Sequence, residues 1–367
     1  MISRHKSEAG GKEVGEKILP GQTIGIIGGG STARMIALAA KKLGYFVGVL
    51  TTEKNSPAVQ VADWYILGDF LKLEDVMSLA EKSDVLTYES EKIDVDLLLS
   101  LQPYISIPQL SDLSSIMEDR LIERFFLESL NINVAPYATI TNLEDIQQSA
   151  NGIGFPAILK PVRIEGNEPE PIVLYSEQDF KKAKEILQTG TCILEAWIPF
   201  EKELAITVAM GSIMESTMES IEENITSFPV SHTIYKAGVL QTTITPAQID
   251  SEIKDAIELI ANTIARALQM PGILTVEIFI TAGGAVYVKK IILHPHESAD
   301  YSINTCNISQ YEALIRSICG FPLPEITLWE TSKSYPIFEK GFEKVLKDIQ
   351  VHPEWLFHFY GEAAKEP

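Results

Sequence analysis

The chain has 367 residues, enough for two or three domains, and its 46% hydrophobic and 22% charged residues are typical of a globular protein. A formal net charge of -20 argues against a nucleic-acid partner, because phosphates would be repelled. The 3 cysteines are widely separated, which predicts a reducing, cytoplasmic environment, and no apolar run reaches the length of a membrane span.

The first third of the chain alternates predicted strands and helices. Residues 1–20 are polar and mixed in charge, and we expect a disordered tail there. Strands are predicted near residues 23–30, 45–50, 61–67 and 84–89, with helices near 32–43, 73–82 and 94–101. This alternation predicts an α/β fold that begins with a doubly wound parallel sheet over residues 21–112.

A further helix is predicted directly after this sheet. Ser115 and Glu118 have the spacing of a capping box, which would start the helix. Its apolar side is predicted to include Ile122, Phe125 and Phe126. An apolar side of this kind packs against the rest of the protein.

The rest of the chain predicts antiparallel strands around one long helix. Apolar residues recur at helical spacing from Ile249 to Leu268. The stretch 274–292 is apolar and rich in β-branched residues on both sides of a Thr-Ala-Gly-Gly turn. That pattern predicts a β-hairpin.

Glycines follow the first predicted strand directly. Gly28, Gly30 and Ala33 match the G-x-G-x-x-G/A turn that holds a dinucleotide, and Glu53 lies where an acid would bind the ribose. Any tight strand-to-helix turn around an anion also uses glycines. A turn that binds another phosphate, or no ligand, is therefore at least as consistent with this pattern.

Three charged residues lie at the ends of predicted strands in the middle of the chain. Lys160 could meet nucleotide phosphates, or it could extend from a sheet edge into solvent. Glu195 and Glu203 flank an apolar stretch, which suits an adenine-binding slot with an acid for the ribose hydroxyls. Taken alone, the same two acids are better interpreted as solvated surface carboxylates.

The predicted hairpin carries one acid followed by two lysines. Glu277 interrupts an apolar strand, where a carboxylate lies at a strand end, pairs with a cation or holds a metal. Lys289 and Lys290 follow on the return strand. His294 and His296 could offer two nitrogens to zinc, but the nearby lysines oppose a dication.

Many sequence blocks in order resemble one family, the ATP-grasp enzyme 5-(carboxyamino)imidazole ribonucleotide synthase of purine biosynthesis. The resemblance runs from Thr23 to about Gly361 and replaces the dinucleotide interpretation. The blocks that carry it include TIGIIGGG, SPAVQVADWYI, SDVLTYESE, GFPAILK, LEAWIPFEKELAITV, VEIFIT and NTCNISQ.

The resemblance implies three domains after the tail at residues 1–20. These are a doubly wound parallel sheet at 21–112, an α+β ATP-grasp domain with antiparallel sheets at 113–322, and a truncated small C-terminal domain at 323–367. It also implies a cytoplasmic homodimer that uses ATP, Mg²⁺ and bicarbonate to carboxylate aminoimidazole ribonucleotide.

By position, the resemblance also implies the site residues. The implied ATP contacts are Arg120, Lys160, Glu195, Ala196, Trp197, Ile198 and Glu203. The implied contacts to the ribonucleotide substrate are Gly30, Arg34, Tyr88 and Glu89. The implied magnesium ligand is Glu277, with Lys290 at the position of a second ligand.

The sequence departs from this family at several ligand contacts. The loop at 162–171 lacks most of the family's glycines and adds acids and prolines, which should repel a triphosphate. Lys290 replaces a magnesium-binding acid, and we expect it to pair with Glu277 instead. The segments 31–33 and 297–300 and the C-terminal end also differ. Together these departures predict a homologue with lost or much reduced activity; the alternative is an active ligase with unusual site residues.

Overall fold

The computed structural model describes residues 17–89, 93–111, 113–163, 169–211, 224–337 and 341–361. Residues 1–16 of the expected tail at 1–20, the loop residues 164–168 and the last residues 362–367 lie outside these ranges. Within the described ranges the strands form three sheets, of four, seven and four strands. Among these residues we find no helix whose length and apolar content would let it cross a lipid bilayer.

The N-terminal sheet is parallel and four-stranded, as predicted, in the spatial order β3-β2-β1-β4. The two central strands are almost entirely buried, which explains why their sequences are apolar without alternation. The strands are β1 (Thr23–Ile27), β2 (Phe46–Thr51), β3 (Trp64–Leu67) and β4 (Val85–Tyr88), and the helices are α1 (Ser31–Lys42), α2 (Leu73–Ala80) and α3 (Val95–Leu101).

The next helix, α4 (Arg120–Ser129), begins later than predicted. The side chain of Asp119 caps it, accepting hydrogen bonds from the N–H groups of the second and third helical residues at 2.8 and 3.1 Å. Ser115 lies in a short 3-10 turn, and the Glu118 carboxylate accepts the backbone N–H of Val95 at 2.8 Å. The predicted capping box is therefore wrong.

The predicted apolar side of α4 is also partly wrong. Phe126 is buried, but Ile122 and Phe125 are 41% and 72% exposed. The side chains of Glu123 and Arg124 are buried in their place. Burial of these charges is possible because each has partners on neighbouring strands, described below.

A small antiparallel sheet follows, in the order β5-β8-β6-β7. Its apolar side packs with helices α5 and α6 in a hydrophobic cluster of its own. Asn142 and Asp145 form a capping box at the start of α5. The elements are β5 (Tyr137–Ile140), α5 (Leu143–Ile153), β6 (Ala157–Pro161), β7 (Ile172–Leu174), α6 (Ala183–Ile186) and β8 (Cys192–Ala196).

The large sheet has the order β14-β13-β9-β11-β12-β15, and β10 also pairs with β9. Its strands are β9 (Phe200–Met210), β10 (Ile225–Ser227), β11 (Ser231–Lys236), β12 (Val239–Thr245), β13 (Gly272–Thr281), β14 (Val286–Ile292) and β15 (Ser332–Ser334). The helices are α7 (Ser251–Leu268), α8 (Ser302–Thr305), α9 (Gln310–Ile318) and α10 (Phe342–Val351).

Helices connect this sheet to the rest of the molecule. The predicted apolar stripe of α7 is confirmed, with Ile257, Ile264 and Leu268 buried against the large sheet. Helix α9 packs on α1, so one core cluster is shared between the N-terminal sheet and the large sheet.

The predicted hairpin is formed by β13 and β14 and contains a bulge. Glu277 lies opposite Lys290, and the next residue, Ile278, lies opposite Val288. Lys289 is therefore the extra residue of β14. A bulge of this kind sets two consecutive residues of one strand against one residue of its partner, so both lysines lie opposite Glu277.

Candidate functional site

Glu277 is a buried acid in the middle of the large sheet. It lies opposite Ala205 of β9 on one side and Lys290 of β14 on the other, and only 6% of it is exposed. Its carboxylate accepts a hydrogen bond of 2.5 Å from the Tyr235 hydroxyl of β11. The acid of the predicted hairpin is therefore inside the protein and held by a neighbouring side chain.

The ammonium of Lys289 lies between two carboxylates. Its Nζ atom is 3.3 Å from Oε2 of Glu277 and 3.1 Å from Oε2 of Glu203. It also lies 4.5 Å from the centre of the Tyr235 ring, within the range of a cation–π contact. We call Glu203, Tyr235, Glu277, Lys289 and Lys290 the hairpin cluster.

The sequence predicted that Lys290 would pair with Glu277. The register places Lys290 opposite Glu277, and its charge contributes to lowering the pKa of that carboxyl. Lys289, to which the sequence analysis gave no partner, forms ion pairs with both acids. An alternating strand pattern would put adjacent residues on opposite faces, and only the bulge brings both lysines to Glu277.

Within the cluster, Glu277 and Lys289 hold each other in their ionised forms, whereas Glu203 is shifted the other way. Burial raises the pKa of Glu277, but Lys289, His296 and the other neighbours outweigh it, and the pKa is lowered. Burial lowers the pKa of Lys289, but the two acids outweigh it, and the pKa is raised. For Glu203 burial outweighs the attraction of Lys289, and the pKa is raised.

A divalent cation does not fit the hairpin cluster. Mg²⁺ needs several oxygen ligands, and here the ammonium of Lys289 already contacts both carboxylates. Two like unit charges about 4 Å apart repel by roughly 4 kcal/mol at an effective dielectric constant of about 20, and a dication doubles this. In the described part of the chain, no group of three or more acids, histidines and cysteines is arranged to hold a metal.

A second charged group lies where the small sheet meets α4. The Glu195 carboxylate is buried and contacts Nε of Arg124 at 2.8 Å and Nζ of Lys160 at 2.5 Å. Arg124 also contacts Glu123 at 2.9 Å. We call these four residues the frame cluster. The interpretation of Glu195 as a solvated surface acid is wrong, because two cations neutralise it inside the protein.

The frame cluster strongly stabilises the charge of Glu195. Burial raises its pKa, but Lys160 and Arg124 reverse the effect and lower the pKa to about 2. The Lys160 side chain remains 22% exposed. Lys160 is thus a partly exposed partner of Glu195.

Other residues implied as ATP contacts lie around the same strands. Arg120 donates to the backbone carbonyl oxygen of Pro161 at 2.6 Å, next to Lys160 in the chain. Beyond β8, the Trp197 side chain is 42% exposed and Ile198 is nearly buried. The backbone N–H groups of Ala196 and Trp197 donate to carbonyl oxygens of the protein at 2.8 and 3.0 Å.

Helix α4 connects the two clusters, which the sequence analysis missed. Arg124 donates to the backbone carbonyl oxygen of Lys289 at 2.8 Å. Glu123 accepts the backbone N–H of Ile291 at 2.6 Å. The adjacent opposite charges of Glu123 and Arg124 between apolar residues were the available sequence signal, but local spacing could not name their partners.

The glycine turn before α1 holds a carboxylate of the protein itself. Glu89 accepts hydrogen bonds from the N–H groups of Gly30 at 2.9 Å and Ala33 at 3.1 Å. A Cβ atom at Gly28, where φ is +113°, would come within 2.3 Å of the Glu89 side chain. The close approach of Glu89 thus explains the glycines without a bound dinucleotide, and Glu53 is exposed.

The structure brings together part of the implied substrate set. Gly30 and Glu89 are in direct contact, as described above. Arg34 donates to the carbonyl oxygen of Pro57 at 3.1 Å and to Gln60 at 2.9 Å. Tyr88 is fully buried, and its hydroxyl donates to the carbonyl oxygen of Gln109 at 3.3 Å.

The histidines after the hairpin have local partners. Nδ1 of His294 lies 3.0 Å from the carbonyl oxygen of Pro295, and Nδ1 of His296 lies 2.9 Å from the Ser298 hydroxyl. Nearby Asp300 is half-buried and accepts hydrogen bonds from neutral groups, and desolvation raises its pKa to about 7. This arrangement gives no support to zinc binding.

Known proteins match the chain over most of its length. Two family profiles match, the ribonucleotide synthetase preATP-grasp domain at residues 21–115 and the ATP-grasp domain at residues 125–311. The N5-carboxyaminoimidazole ribonucleotide synthase of Bacillus subtilis is 33% identical over 345 residues, which cover 94% of this chain and 88% of that protein.

Solved structures give the same result. An ADP complex of purK, an N5-carboxyaminoimidazole ribonucleotide synthetase, has a TM-score of 0.89 and 36% identity, covering 95% of this chain and 90% of that one. The N5-carboxyaminoimidazole synthetase of Staphylococcus aureus, also complexed with ADP, has a TM-score of 0.88 and 30% identity, covering 96% and 91%.

These similarities confirm the predicted fold class, a parallel N-terminal sheet followed by antiparallel sheets of an ATP-grasp fold. They extend through both clusters, which lie mainly on elements inside the ATP-grasp match. The chain belongs to the N5-carboxyaminoimidazole ribonucleotide synthase family of ATP-grasp proteins.

Proposed function

We propose that this chain is a family member in which the ATP- and bicarbonate-dependent carboxylation of aminoimidazole ribonucleotide is lost or much reduced. The observation that carries the proposal is Lys289, whose ammonium contacts both Glu203 and Glu277. Phosphoryl transfer from ATP needs cations that bridge the phosphates and neutralise developing charge. Glu277, the implied magnesium ligand, is already paired with Lys289 and cannot also hold a pair of Mg²⁺ ions.

The nucleotide-binding face is the part of the site that we propose to be retained. Arg120, Lys160, the segment 195–198 and Glu203 would contact an adenine nucleotide. The solved relatives named above are ADP complexes, which supports this ligand class. Lys160 supports it too, since its ammonium is positioned by Glu195 and is partly exposed.

Three further features follow from the family by analogy. A ribonucleotide would bind near Gly30, Arg34, Tyr88 and Glu89 in the N-terminal domain. The chain would form a cytoplasmic homodimer. Its domains would divide near residues 112 and 322, as the sequence predicts.

An active ligase with unusual site residues is the second candidate, because the ion pairs of the frame cluster, which includes the implied ATP contacts Lys160 and Glu195, are all formed. Under this alternative, Lys289 and Lys290 would supply the positive charge that magnesium supplies elsewhere. It predicts that removing the Lys290 charge abolishes turnover.

The test is ATP hydrolysis by the purified protein with aminoimidazole ribonucleotide and bicarbonate, followed as ADP release. We expect wild-type release to equal the rate without enzyme. A measurable wild-type rate that Lys290→Ala or Lys290→Glu abolishes would reject the proposal in favour of the alternative. Lys347→Ala, on the exposed side of α10, is the matched control.

A further inference from the structure

Lys289 is held in place by its backbone as well as by its side chain. Its carbonyl oxygen accepts a hydrogen bond from Arg124 at 2.8 Å, and two residues later the N–H of Ile291 donates to Glu123 at 2.6 Å. Both partners are buried residues of α4. The bulge that points Lys289 at the acids is therefore fixed by the interior of the protein.

The side chain has the surroundings of a bound cation. Its Nζ lies within 3.3 Å of two carboxylates, from β9 and β13, and 4.5 Å from the centre of the Tyr235 ring. The hydroxyl of that ring donates to Glu277, so one residue contacts both the acid and the ammonium. Carboxylates on adjacent strands and an aromatic face complete a site for one positive charge.

We infer that the Lys289 ammonium is the permanent cation of this site: it takes the place of a divalent metal, so the site binds no Mg²⁺ and accepts a nucleotide in metal-free form. The inference rests on the proposed function, in that it takes the hairpin cluster as the phosphate side of the nucleotide site. It goes further by naming which cation is present and which form of the ligand enters.

The charges of the neighbours support a ligand without metal. Lys290 follows Lys289 in β14, and Lys160 lies on β6 of the small sheet, where it pairs with Glu195. Arg124 connects the two groups, because it contacts both Glu195 and the carbonyl oxygen of Lys289. An ammonium has three donors and no need for a ring of oxygen ligands, unlike Mg²⁺. Glu297 and His296 also lie close enough to influence the charge of Glu277.

Manganese binding tests the inference directly, with Mn²⁺ alone as the probe and electron paramagnetic resonance as the measurement. We expect wild type to bind no more Mn²⁺ than the control variant described below does. The double variant Lys289→Gln/Lys290→Glu frees both carboxylates and adds a third. It should gain one site that binds Mn²⁺ at least about tenfold more tightly than wild type does.

The control is Lys344→Gln/Lys347→Glu, which makes the same change of charge on the exposed helix α10. Equal gains in the two double variants would overturn the inference, since general attraction of Mn²⁺ to an acidic protein would explain both. A stoichiometric Mn²⁺ site in wild type that Mg²⁺ displaces would also overturn it. The wild-type result needs no variant to fold.

Thermal melting with ATP gives the second measurement. A ligand that binds only the folded state raises the melting temperature, and we expect the same increase with Mg²⁺ as with EDTA. An increase that disappears in EDTA would overturn the inference. If ADP is released while Mn²⁺ does not bind, the proposed loss of activity is wrong and Lys289 as the cation of the site is supported. If Mn²⁺ binds and no ADP is released, the inference about Lys289 is wrong and the proposed loss of activity is supported.

Discussion

The frame cluster and the hairpin cluster use the same chemistry for different purposes. In the frame cluster, Glu195 meets two cations and its pKa falls to about 2. In the hairpin cluster one lysine meets two acids, and the lysine side chain is 30% exposed. The first group joins α4, β6 and β8 and stabilises the domain. The second includes a partly exposed lysine, so we expect changes there to cost less stability.

The largest effect should come from breaking the frame cluster at Arg124. Arg124→Met leaves Glu123 and Glu195 buried with too few partners, and we expect the free energy of unfolding to fall by about 3–5 kcal/mol. Urea denaturation at pH 7 measures it. Arg316→Met removes a half-exposed pair with Glu312 and should cost less than about 1 kcal/mol. Equal losses in both variants would contradict the distinction between the clusters.

The frame cluster also predicts a pH dependence at the acid end. The folded pKa of Glu195, about 2, lies below the ordinary value of 4.5. The unfolded chain therefore binds more protons between these values, so the stabilisation is complete above pH 4.5 and is lost as the pH falls towards 2. Urea titrations across this range should show the loss in wild type and much less of it in Arg124→Met, whose Glu195 has lost one cation.

Asp300 extends the comparison, because it is a half-buried acid whose hydrogen-bond partners, Gln310 and Tyr311, are neutral. Its folded pKa of about 7 exceeds the ordinary 3.8, so the folded state holds a proton between these values. Stability should fall as the pH rises from about 4 to about 7, by roughly 2 kcal/mol or more. Asp300→Asn should remove most of that slope in urea titrations.

The control for Asp300 is Asp179→Asn, a half-buried acid paired with the exposed Lys182, which should leave the slope between pH 4 and pH 7 unchanged. If the Asp300→Asn titration keeps the wild-type slope, the proton is not held at Asp300.

The smallest effect should come from the hairpin cluster itself. Lys289→Met leaves two carboxylates near each other, and we expect a loss of about 1 kcal/mol at pH 7, limited by solvent at the exposed lysine. The loss should shrink as the pH falls through the acids' range, since protonation removes their repulsion. Lys182→Met, at a more exposed ion pair, is the control and should change stability by less than about 0.5 kcal/mol.

A loss above about 3 kcal/mol in Lys289→Met would contradict the comparison. It would make the hairpin cluster as structural as the frame cluster, and variants of Lys289 would then report on folding and not on ligand binding.

The sequence predicted well what depends on repeating patterns. The alternation of predicted strands and helices gave the parallel sheet, and the stripe from Ile249 to Leu268 gave the long helix. The order of sequence blocks gave the family. The same local reasoning failed at Ser115 and Phe125, because the capping residue and the buried face of α4 depend on contacts with distant strands.

By itself, the sequence determined the fold class and the hairpin. Only the tertiary structure decided that Lys289 is the lysine between the acids, that Glu195 is buried between two cations, and that Glu89 fills the glycine turn. The physical reason is the sequence separation of the residues involved. Periodic patterns depend on neighbouring residues, whereas these ion pairs depend on a strand bulge and on partners far away in the chain.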